Sequence, residues 1–326
     1  MRTKQLFLTL ALLCAVVQGM RAQASWEEVY AMTNTIAEDW TQLTEGSTTG
    51  RTLGAAGTTT YYYTDTDLTF TNSNTGGSGL TIQGTVYLYV PKGVTVTCWG
   101  AVASGVTGGG AGIELTAENM LCLLGSGKVN AIGGNAARGG DGGNGGDADW
   151  DSSNIWSGFG GYGGNGGGGA GAGIGTRGGN GGNGGVGAVS STSDWKSYGG
   201  HSGKGGQIGA TAGAMGSLYV SPSIYFLYAI GGAKGTLGNG GSAGKSYLYD
   251  GIDNWCAAGG GGGGCGGCGG AAANIGSGGP GGGGGGGGAS GNIDKIDALY
   301  TGYCIVRAPG GKGGQNGDGT WAVGGD

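Results

Sequence analysis

Histidine, proline and charged residues are scarce in this chain. Its 326 residues include one histidine, four prolines and 11% charged side chains. Because His201 stands alone, a tetrahedral zinc site would have to gather scattered ligands, and no nucleophile-elbow motif lies near it. So little proline excludes collagen, which joins glycine at every third residue to abundant proline. We therefore expect no cofactor and no catalytic residue.

The N-terminus has the pattern of a secretory signal. Arg2 and Lys4 precede an apolar run at 6–17, and Ala22-Gln23-Ala24 is a cleavage site of the A-x-A type. The run is shorter than the roughly 20 residues of a transmembrane helix, and no second one follows. The sequence predicts a signal peptide at 1–24 and a chain exported to the cell surface or beyond, without a membrane span.

Charge excludes one class of partner. Removal of the signal takes away Arg2, Lys4 and Arg21, which leaves 12 basic against 20 acidic side chains. The bases form no stripe, so we expect no nucleic-acid binding.

After an N-terminal segment at 25–58, residues 59–132 predict a β-rich module. Short β-branched or aromatic runs alternate with turn residues, and the apolar positions (Val86, Leu88) follow a period of two. The runs recur about every two dozen residues, with Cys98 and Cys122 at comparable places, which favours a parallel β-solenoid. An antiparallel β-sandwich is the alternative. In either case the fold is mostly β or irregular, with little α-helix.

Glycine is abundant and unevenly spread. Of 92 glycines, 74 lie from Gly133 onward, mainly in X-G-G triplets such as RGGDGGNGG, with aromatic connectors between the strings. A disordered linker seldom carries apolar inserts at regular intervals. We predict that residues 133–326 form a bundle of polyglycine-II helices.

Such a helix has three residues per turn and no internal hydrogen bonds, so its backbone needs partners on neighbouring segments. X-G-G triplets place every side chain on one stripe, which predicts a position outside the bundle. A run without side chains, Gly281 to Gly288, can be enclosed on all sides, and we predict that it lies centrally.

The triplet strings with aromatic connectors resemble the polyglycine-II bundles of anaplastic-lymphoma-kinase-type receptor ectodomains, of glycine-rich phage tail-tip adhesins and of the snow-flea antifreeze protein. This resemblance covers residues 133–326 and concerns architecture alone. The front half, with YVPKGVTVTCWG and GAGIELTAENMLCLLGSGKVNAIGGNAA, resembles glycine-rich exported proteins of gut-type Bacteroidetes. Neither resemblance carries over a catalytic or binding motif.

Of the seven cysteines, Cys14 lies in the signal peptide, and the even number of six that remains in the exported chain favours disulfides. Cys265 and Cys268 would lie about 9 Å apart in a polyglycine-II helix, beyond the roughly 7 Å that a bridge spans. We expect them to pair with a neighbouring segment, with Cys304 as the nearest candidate; redox or metal chemistry is the alternative. The disulfide candidates are Cys98, Cys122, Cys256, Cys265, Cys268 and Cys304.

Two groups of residues are candidate binding sites. Asp147, Asp149 and Asp151 follow a stretch close to the calcium-binding nonapeptide, although the motif does not recur, and a solvated acidic turn is the alternative. Aromatic residues in the connectors either cap the glycine helices or form a recognition tip for a glycan or a protein. These aromatics are Trp150, Trp156, Phe159, Tyr162, Trp195 and Tyr198.

The sequence therefore predicts a non-enzymatic structural or adhesive protein that presents loops on a rigid scaffold to a glycan or a surface protein. A carbohydrate-active β-helix enzyme, such as a polysaccharide lyase, is the main alternative, and an ice- or matrix-associated structural protein is another. An enzyme would need clustered acids and bases, whereas those of the β-rich module are scattered: Asp65, Asp67, Lys92, Glu114, Glu118 and Lys128.

Overall fold

Parallel strands dominate the computed structural model of this protein. It describes residues 40–144, 149–150, 155–156, 161–187, 207, 209–221, 224–240, 247–249, 255–257, 269–285 and 293–295. Across these ranges the ordered elements are strands and turns, without a helix, as the mostly-β prediction requires. Accordingly, the described segments contain no helix able to cross a membrane.

Two sheets hold most of the strands. The first contains β1 (Thr41–Gln42), β2 (Arg51–Tyr63), β4 (Leu80–Val90), β6 (Ile113–Glu114), β7 (Met120–Gly125), β11 (Ile174–Gly175), β12 (Ser217–Val220) and β16 (Ile275–Gly276). The second contains β3 (Leu68–Phe70), β5 (Thr95–Trp99), β8 (Lys128–Ile132) and β13 (Phe226–Ile230). Two small antiparallel sheets contain β9 (Asp149–Trp150) with β10 (Ile155–Trp156), and β14 (Tyr247–Tyr249) with β15 (Trp255–Ala257) and β17 (Ile293–Lys295).

Every pair in the two large sheets is parallel. In the first, Val86 pairs with Leu121, which pairs in turn with Leu218. In the second, Cys98 pairs with Ala131, and Ala131 with Ala229 in β13. β3 and β5 alternate along the chain with β2, β4 and β6, which belong to the other sheet, so the partners β2–β4 and β3–β5 come from successive passes of the chain. The antiparallel sandwich is therefore wrong.

The core lies where the inner faces of the two sheets meet. Val86 and Leu88 from the first sheet and Val96 and Cys98 from the second are fully buried in one apolar cluster. Their period of two is the one that the sequence shows, because alternate side chains of a strand point to the same face. A second cluster covers the opposite face of the first sheet, where Trp40 packs against Tyr61 at 5.4 Å between ring centroids.

Glycine-rich segments leave this stack of strands and return to it. From β8 the chain runs out along 133–144 and comes back along 161–173 to β11. It leaves again along 176–187, and residues 209–216 lead back into β12. After β13 it leaves once more along 231–240, and 269–274 lead into β16.

Residues 217–230 differ from the sequence-based prediction. They lie within 133–326, where we predict glycine helices and the connectors between them, but they include β12 and β13, which extend both sheets by one strand. The physical reason is that SLYV and FLYAI repeat the alternation of MLCLLG and KVNAI, so they can add to β7 and β8 in register.

Backbone hydrogen bonds join glycine segments that are distant in sequence, and they recur every third residue. Along each segment the N–H groups donate to the neighbour's carbonyl groups, which meets the need of buried peptide groups for partners. One parallel series consists of Gly179 to Gly279 (2.9 Å), Gly182 to Gly282 (2.9 Å) and Gly185 to Gly285 (2.6 Å). One antiparallel series consists of Gly169 to Gly179 (2.8 Å), Gly166 to Gly182 (2.7 Å) and Gly163 to Gly185 (2.8 Å).

Exposure follows the same period of three. In the stretch RGGDGGNGG, Arg138, Asp141 and Asn144 are exposed, whereas the glycines between them are buried or half-buried. Asn180 and Asn183 repeat the pattern. The prediction that the X side chains of these triplets face solvent is confirmed for these segments.

Residues 281–285, the described part of the all-glycine run, are buried. They bond to three different segments, since Gly282 donates to Gly167, Gly281 donates to Ala210, and the Gly282 carbonyl accepts a hydrogen bond from Gly182. These five residues are therefore enclosed by other segments, whereas their place in a polyglycine-II bundle stays a prediction.

Gly284→Ala should destabilise the protein by about 1–3 kcal/mol, the usual range for an overpacked interior. A Cβ atom at this position would overlap the backbone carbonyl of Asn183, which cannot move without disturbing other hydrogen bonds. Gly213→Ala is the matched control, because its Cβ would meet no atom closer than Thr176 Cγ2 at 3.8 Å. Chemical denaturation measures both variants; equal stability of the two would contradict close backbone contact at residue 284.

Candidate functional site

The outer face of the second sheet carries exposed aromatic rings. Along β13 the side chains of Phe226, Tyr228 and Ile230 are exposed, while Leu227 and Ala229 pack toward the core. The Phe226 and Tyr228 rings stack with centroids 6.0 Å apart and an interplanar angle of 12°. The period of two thus leaves both rings on solvent, fixed on one edge strand.

Neighbouring strands extend this surface through their register. Ile230 pairs with Ile132, which pairs with Trp99, an indole that is 46% exposed. Before β13, Tyr225 is 75% exposed, and Lys128 Nζ lies 5.6 Å from the centroid of its ring.

Polar groups lie between the rings. Tyr228 pairs in register with Asn130, whose side-chain amide donates to the Thr97 hydroxyl at 3.3 Å. We call this surface the aromatic face; its members are Thr97, Trp99, Lys128, Asn130, Tyr225, Phe226, Tyr228 and Ile230.

A surface of this kind is suited to binding. Contiguous exposed apolar groups rimmed by polar ones mark interaction sites, and aromatic rings can stack on the apolar faces of sugars while amide and hydroxyl groups form hydrogen bonds. Sequence reasoning missed most of this surface because its members come from three strands of different layers. The alternation in FLYAI was the one signal that could have placed Phe226 and Tyr228 on one face.

The connector aromatics predicted as a binding tip are described only in part. Tyr162 is 66% exposed and its ring lies against Gly143, whose N–H donates to the Tyr162 carbonyl at 2.7 Å. Trp150 and Trp156 belong to the hairpin of β9 and β10, where Trp150 pairs with Ile155. Phe159, Trp195 and Tyr198 lie outside the described residues.

An open cleft of about 680 Å³ lies beside β6 and the start of the second outgoing glycine segment. Glu114 in its wall is almost buried; Arg177 Nε donates to its Oε1 at 2.8 Å, and the Thr81 hydroxyl lies 3.4 Å from its Oε2. Thr176 links two other segments near the cleft: its hydroxyl donates a hydrogen bond to the Gly213 carbonyl and accepts one from the Gly278 N–H.

The chemistry of this cleft is limited. Among its lining residues Glu114 is the single acid and Arg177 the single base, and the two pair with each other. Glycoside hydrolysis uses two carboxyl groups, and here one carboxylate already serves an ion pair. The other charged residues considered for an enzyme do not line the cleft: Asp65, Asp67, Lys92, Glu118 and Lys128.

The metal candidates stay untested. Asp147 and Asp151 lie outside the described residues, and Asp149 belongs to β9. In the part of the chain that the structure describes, no group of three or more histidine, cysteine or acidic residues could hold a metal ion. Asp141, in the same glycine string, has a structural role: it accepts hydrogen bonds from Arg138 and from the Asn239 N–H, which hold the pKa of its carboxyl below the ordinary value.

Cys98 and Cys122, both proposed for disulfides, are unpaired and buried. They cannot meet, because Cys98 belongs to the core between the sheets and Cys122 to the aromatic cluster on the opposite face of the first sheet. Burial raises the pKa of the Cys98 thiol, and raises that of Cys122 to about 12 against the lowering effect of a hydrogen bond with Tyr87. Cys256 lies in β15; Cys265, Cys268 and Cys304 lie outside the described residues, so their pairing stays a prediction.

Comparison with protein families, with curated proteins and with solved structures found no match for this chain.

Replacement of Arg177 should lower the stability of the protein, because it leaves the Glu114 carboxylate without its cation. Arg177→Ala leaves Glu114 almost buried without its cation, which we expect to lower the free energy of unfolding by about 1–3 kcal/mol. The double variant Arg177→Ala/Glu114→Gln should recover part of that loss, because no unpaired charge remains. Urea denaturation at pH 7 of the wild type, the single variants Arg177→Ala and Glu114→Gln, and the double variant completes the cycle; full additivity would contradict a coupled pair.

Cys98 and Cys122 should resist alkylation in the folded protein. A rise of the Cys122 pKa from 9.0 to about 12 leaves roughly 1000-fold less thiolate at pH 8, and the thiolate is the nucleophile. Iodoacetamide labelling followed by peptide mapping should modify both residues in urea and neither under native conditions. Stoichiometric native labelling of either thiol would contradict its burial.

Proposed function

We propose that this protein is an exported, non-enzymatic adhesive or binding protein, in which a β-solenoid and a polyglycine-II bundle form one rigid scaffold that presents aromatic groups to a glycan or a surface protein. The observation that carries the proposal is the lateral hydrogen bonding of glycine segments at every third residue. A spacing of three equals the three residues per turn of that helix, which has no internal hydrogen bonds of its own.

The parallel sheets support the solenoid part. Residues of like character repeat at one register position, as with Leu80, Ile113 and Ile174, which pair through β4, β6 and β11 and are fully buried. Each layer covers the apolar surface of the one before it, as stacked repeats do.

Rigidity is what this scaffold contributes to binding. Freezing glycine is entropically costly, and the lateral hydrogen bonds offset that cost when the protein folds, before any ligand arrives. Rings that are already fixed, such as the stacked Phe226 and Tyr228, lose little further freedom on association. A signal peptide at 1–24 would deliver the chain to the exterior, where disulfides among the remaining cysteines could add support.

The lyase alternative gains no support from the described residues. The cleft contains one acid that is paired with one base. By contrast, the aromatic side chains of Tyr225, Phe226 and Tyr228 are exposed on the described surface. We therefore assign binding to the aromatic face and, as the sequence predicts, to the connector aromatics.

Binding should depend on the exposed rings. Glycan-array and polysaccharide co-sedimentation assays would compare residues 25–326 with Phe226→Ala/Tyr228→Ala and, separately, with Trp150→Ala/Trp156→Ala. We expect a loss of about 10-fold or more in affinity for the pair of rings that contacts the ligand, as for central aromatic residues of other interfaces. Val186→Ala is the control, since Val186 is 65% exposed and lies in a glycine segment.

Three results would decide against the proposal. Turnover of polygalacturonate-like substrates would show the enzyme instead. Absence of glycan and surface-protein binding would leave the structural or matrix role. A non-cooperative thermal change in circular dichroism would contradict a folded polyglycine-II bundle.

A further inference from the structure

The cleft beside β6 opens where a regular series of backbone hydrogen bonds stops. The Gln207 N–H donates to the Asn183 carbonyl at 2.8 Å. Three residues later, the Ala210 N–H donates to the Asn180 carbonyl at 2.6 Å. Gly213 comes next in this series, yet its N–H has no partner among the described residues. The chain therefore diverges from its neighbour at this point, and the space of about 680 Å³ lies there.

The Thr176 hydroxyl stands between the two segments that the series would otherwise join. If the period of three that brings the Gly281 N–H to the Ala210 carbonyl continued, the Gly278 N–H would donate to the Gly213 carbonyl directly. Instead, the Thr176 hydroxyl accepts the Gly278 N–H at 2.9 Å and donates to the Gly213 carbonyl at 3.2 Å. Because this threonine is 2% exposed, a fixed and buried contact holds the cleft open.

Arg177 contributes the strongest hydrogen-bond donors of the cleft. Its Nε donates to Glu114 Oε1 at 2.8 Å, and the arginine side chain is 56% exposed whereas that of the glutamate is 11% exposed. The two terminal nitrogens have no partner among the described residues. Glu114 thus holds the inner edge of the guanidinium group and leaves the outer pair of N–H groups for a ligand. Such a pair matches the two oxygens of a planar carboxylate.

Hydroxyl and amide groups accompany this arginine. Thr107 and Thr211 line the cleft, are exposed, and form no hydrogen bond within the described part of the chain. The Thr116 hydroxyl accepts a neighbouring amide at 2.9 Å and keeps its own hydrogen for a further bond. The Asn180 side-chain oxygen accepts the Gly108 N–H at 3.1 Å, which leaves its amide N–H groups as donors. The cleft therefore offers free donors, while its amide and carboxylate oxygens are already bonded.

This set of groups fits an acidic sugar. A uronic acid unit carries one carboxylate and several hydroxyl groups on a single ring, so the carboxylate can accept the Arg177 N–H pair while the ring hydroxyls bond to the threonines. The cleft volume lies within the range of about 300–1,000 Å³ for small-ligand sites. An acidic peptide would bring the carboxylate on an apolar stem and would leave the threonine hydroxyls without partners.

We propose that this cleft is a second binding site, which holds the uronic acid units of an acidic polysaccharide. Arg177 binds the carboxylate, Glu114 is a positioning residue that orients the guanidinium group, and Thr211 binds a ring hydroxyl. None of the members of the aromatic face lines the cleft. The assignment therefore does not depend on the proposed function of that face.

Isothermal titration calorimetry of the full chain with trigalacturonate and with its methyl ester tests this site. The ester keeps the ring hydroxyls and loses the charge, so we expect it to bind about 10-fold or more weakly than the acid. Arg177→Lys keeps a cation beside Glu114 but lacks the paired N–H groups, and should weaken binding of the acid by a similar factor. It should also reduce the preference for the acid over the ester, which a general loss of stability would not do.

Two further variants and a control complete the test. Thr211→Val preserves the shape of an exposed side chain and removes its hydroxyl, so we expect binding to weaken about 2- to 10-fold. Arg51→Lys is the matched control, because Arg51 also gives one N–H to the protein, at the Glu45 carbonyl, but lies outside the cleft. Both Arg51→Lys and Phe226→Ala/Tyr228→Ala should bind the acid as the wild type does.

Four results would overturn the proposal. These are absence of binding to the acid, equal binding of acid and ester, unchanged affinity in Arg177→Lys, and tighter binding of tetraglutamate, which would assign the cleft to an acidic peptide. Loss of binding in Phe226→Ala/Tyr228→Ala without any loss in Arg177→Lys would place the acidic sugar on the aromatic face. That last result would support the proposed function while it removes the second site.

Discussion

The structure depends on how glycine backbones obtain hydrogen-bond partners. The N–H groups of these segments donate to carbonyl groups of other segments, because buried peptide groups need partners. The distance that this requires leaves no room for side chains: a Cβ atom at Gly281 would overlap the Asn180 carbonyl, and one at Gly166 would overlap the Gly282 carbonyl. The composition of the chain follows from this contact distance, since any larger residue at such positions separates two backbones that have no other partners.

The sheets fix the register between neighbouring glycine segments, which such segments cannot fix by themselves. A glycine segment without side chains can slide by one turn and keep the same hydrogen bonds, whereas a strand that slips by one residue exposes its apolar face. Ile174 and Ile275 are paired in the sheet, and the hydrogen bond from Gly179 to Gly279 follows that pairing four to five residues later. Because all described glycine segments begin or end at a strand, the sheets set the alignment of the whole glycine-rich part.

Local periodicity could be read from the sequence, and long-range pairing could not. The alternation at Val86 and Leu88 and the exposed X positions of the triplets follow local backbone periods of two and three, which act over a few residues. The strand pair of Leu121 and Leu218 joins two layers separated by almost one hundred residues of excursions, so no fixed repeat length announces it. The aromatic face was missed for the same reason, since Trp99 and Ile230 come together only through that register.

The rigidity of the scaffold and the side chains on its surface are both consistent with the proposed binding function. A catalytic cleft needs groups that change protonation or move, yet Glu114, the buried acid of the described residues, is held by Arg177 and Thr81. The exposed rings need the opposite: a platform that keeps Phe226 parallel to Tyr228 and does not lose entropy when a ligand arrives. In the proposed binding function, backbone hydrogen bonds between segments hold the scaffold in place, and the exposed rings on its outer face contact the partner.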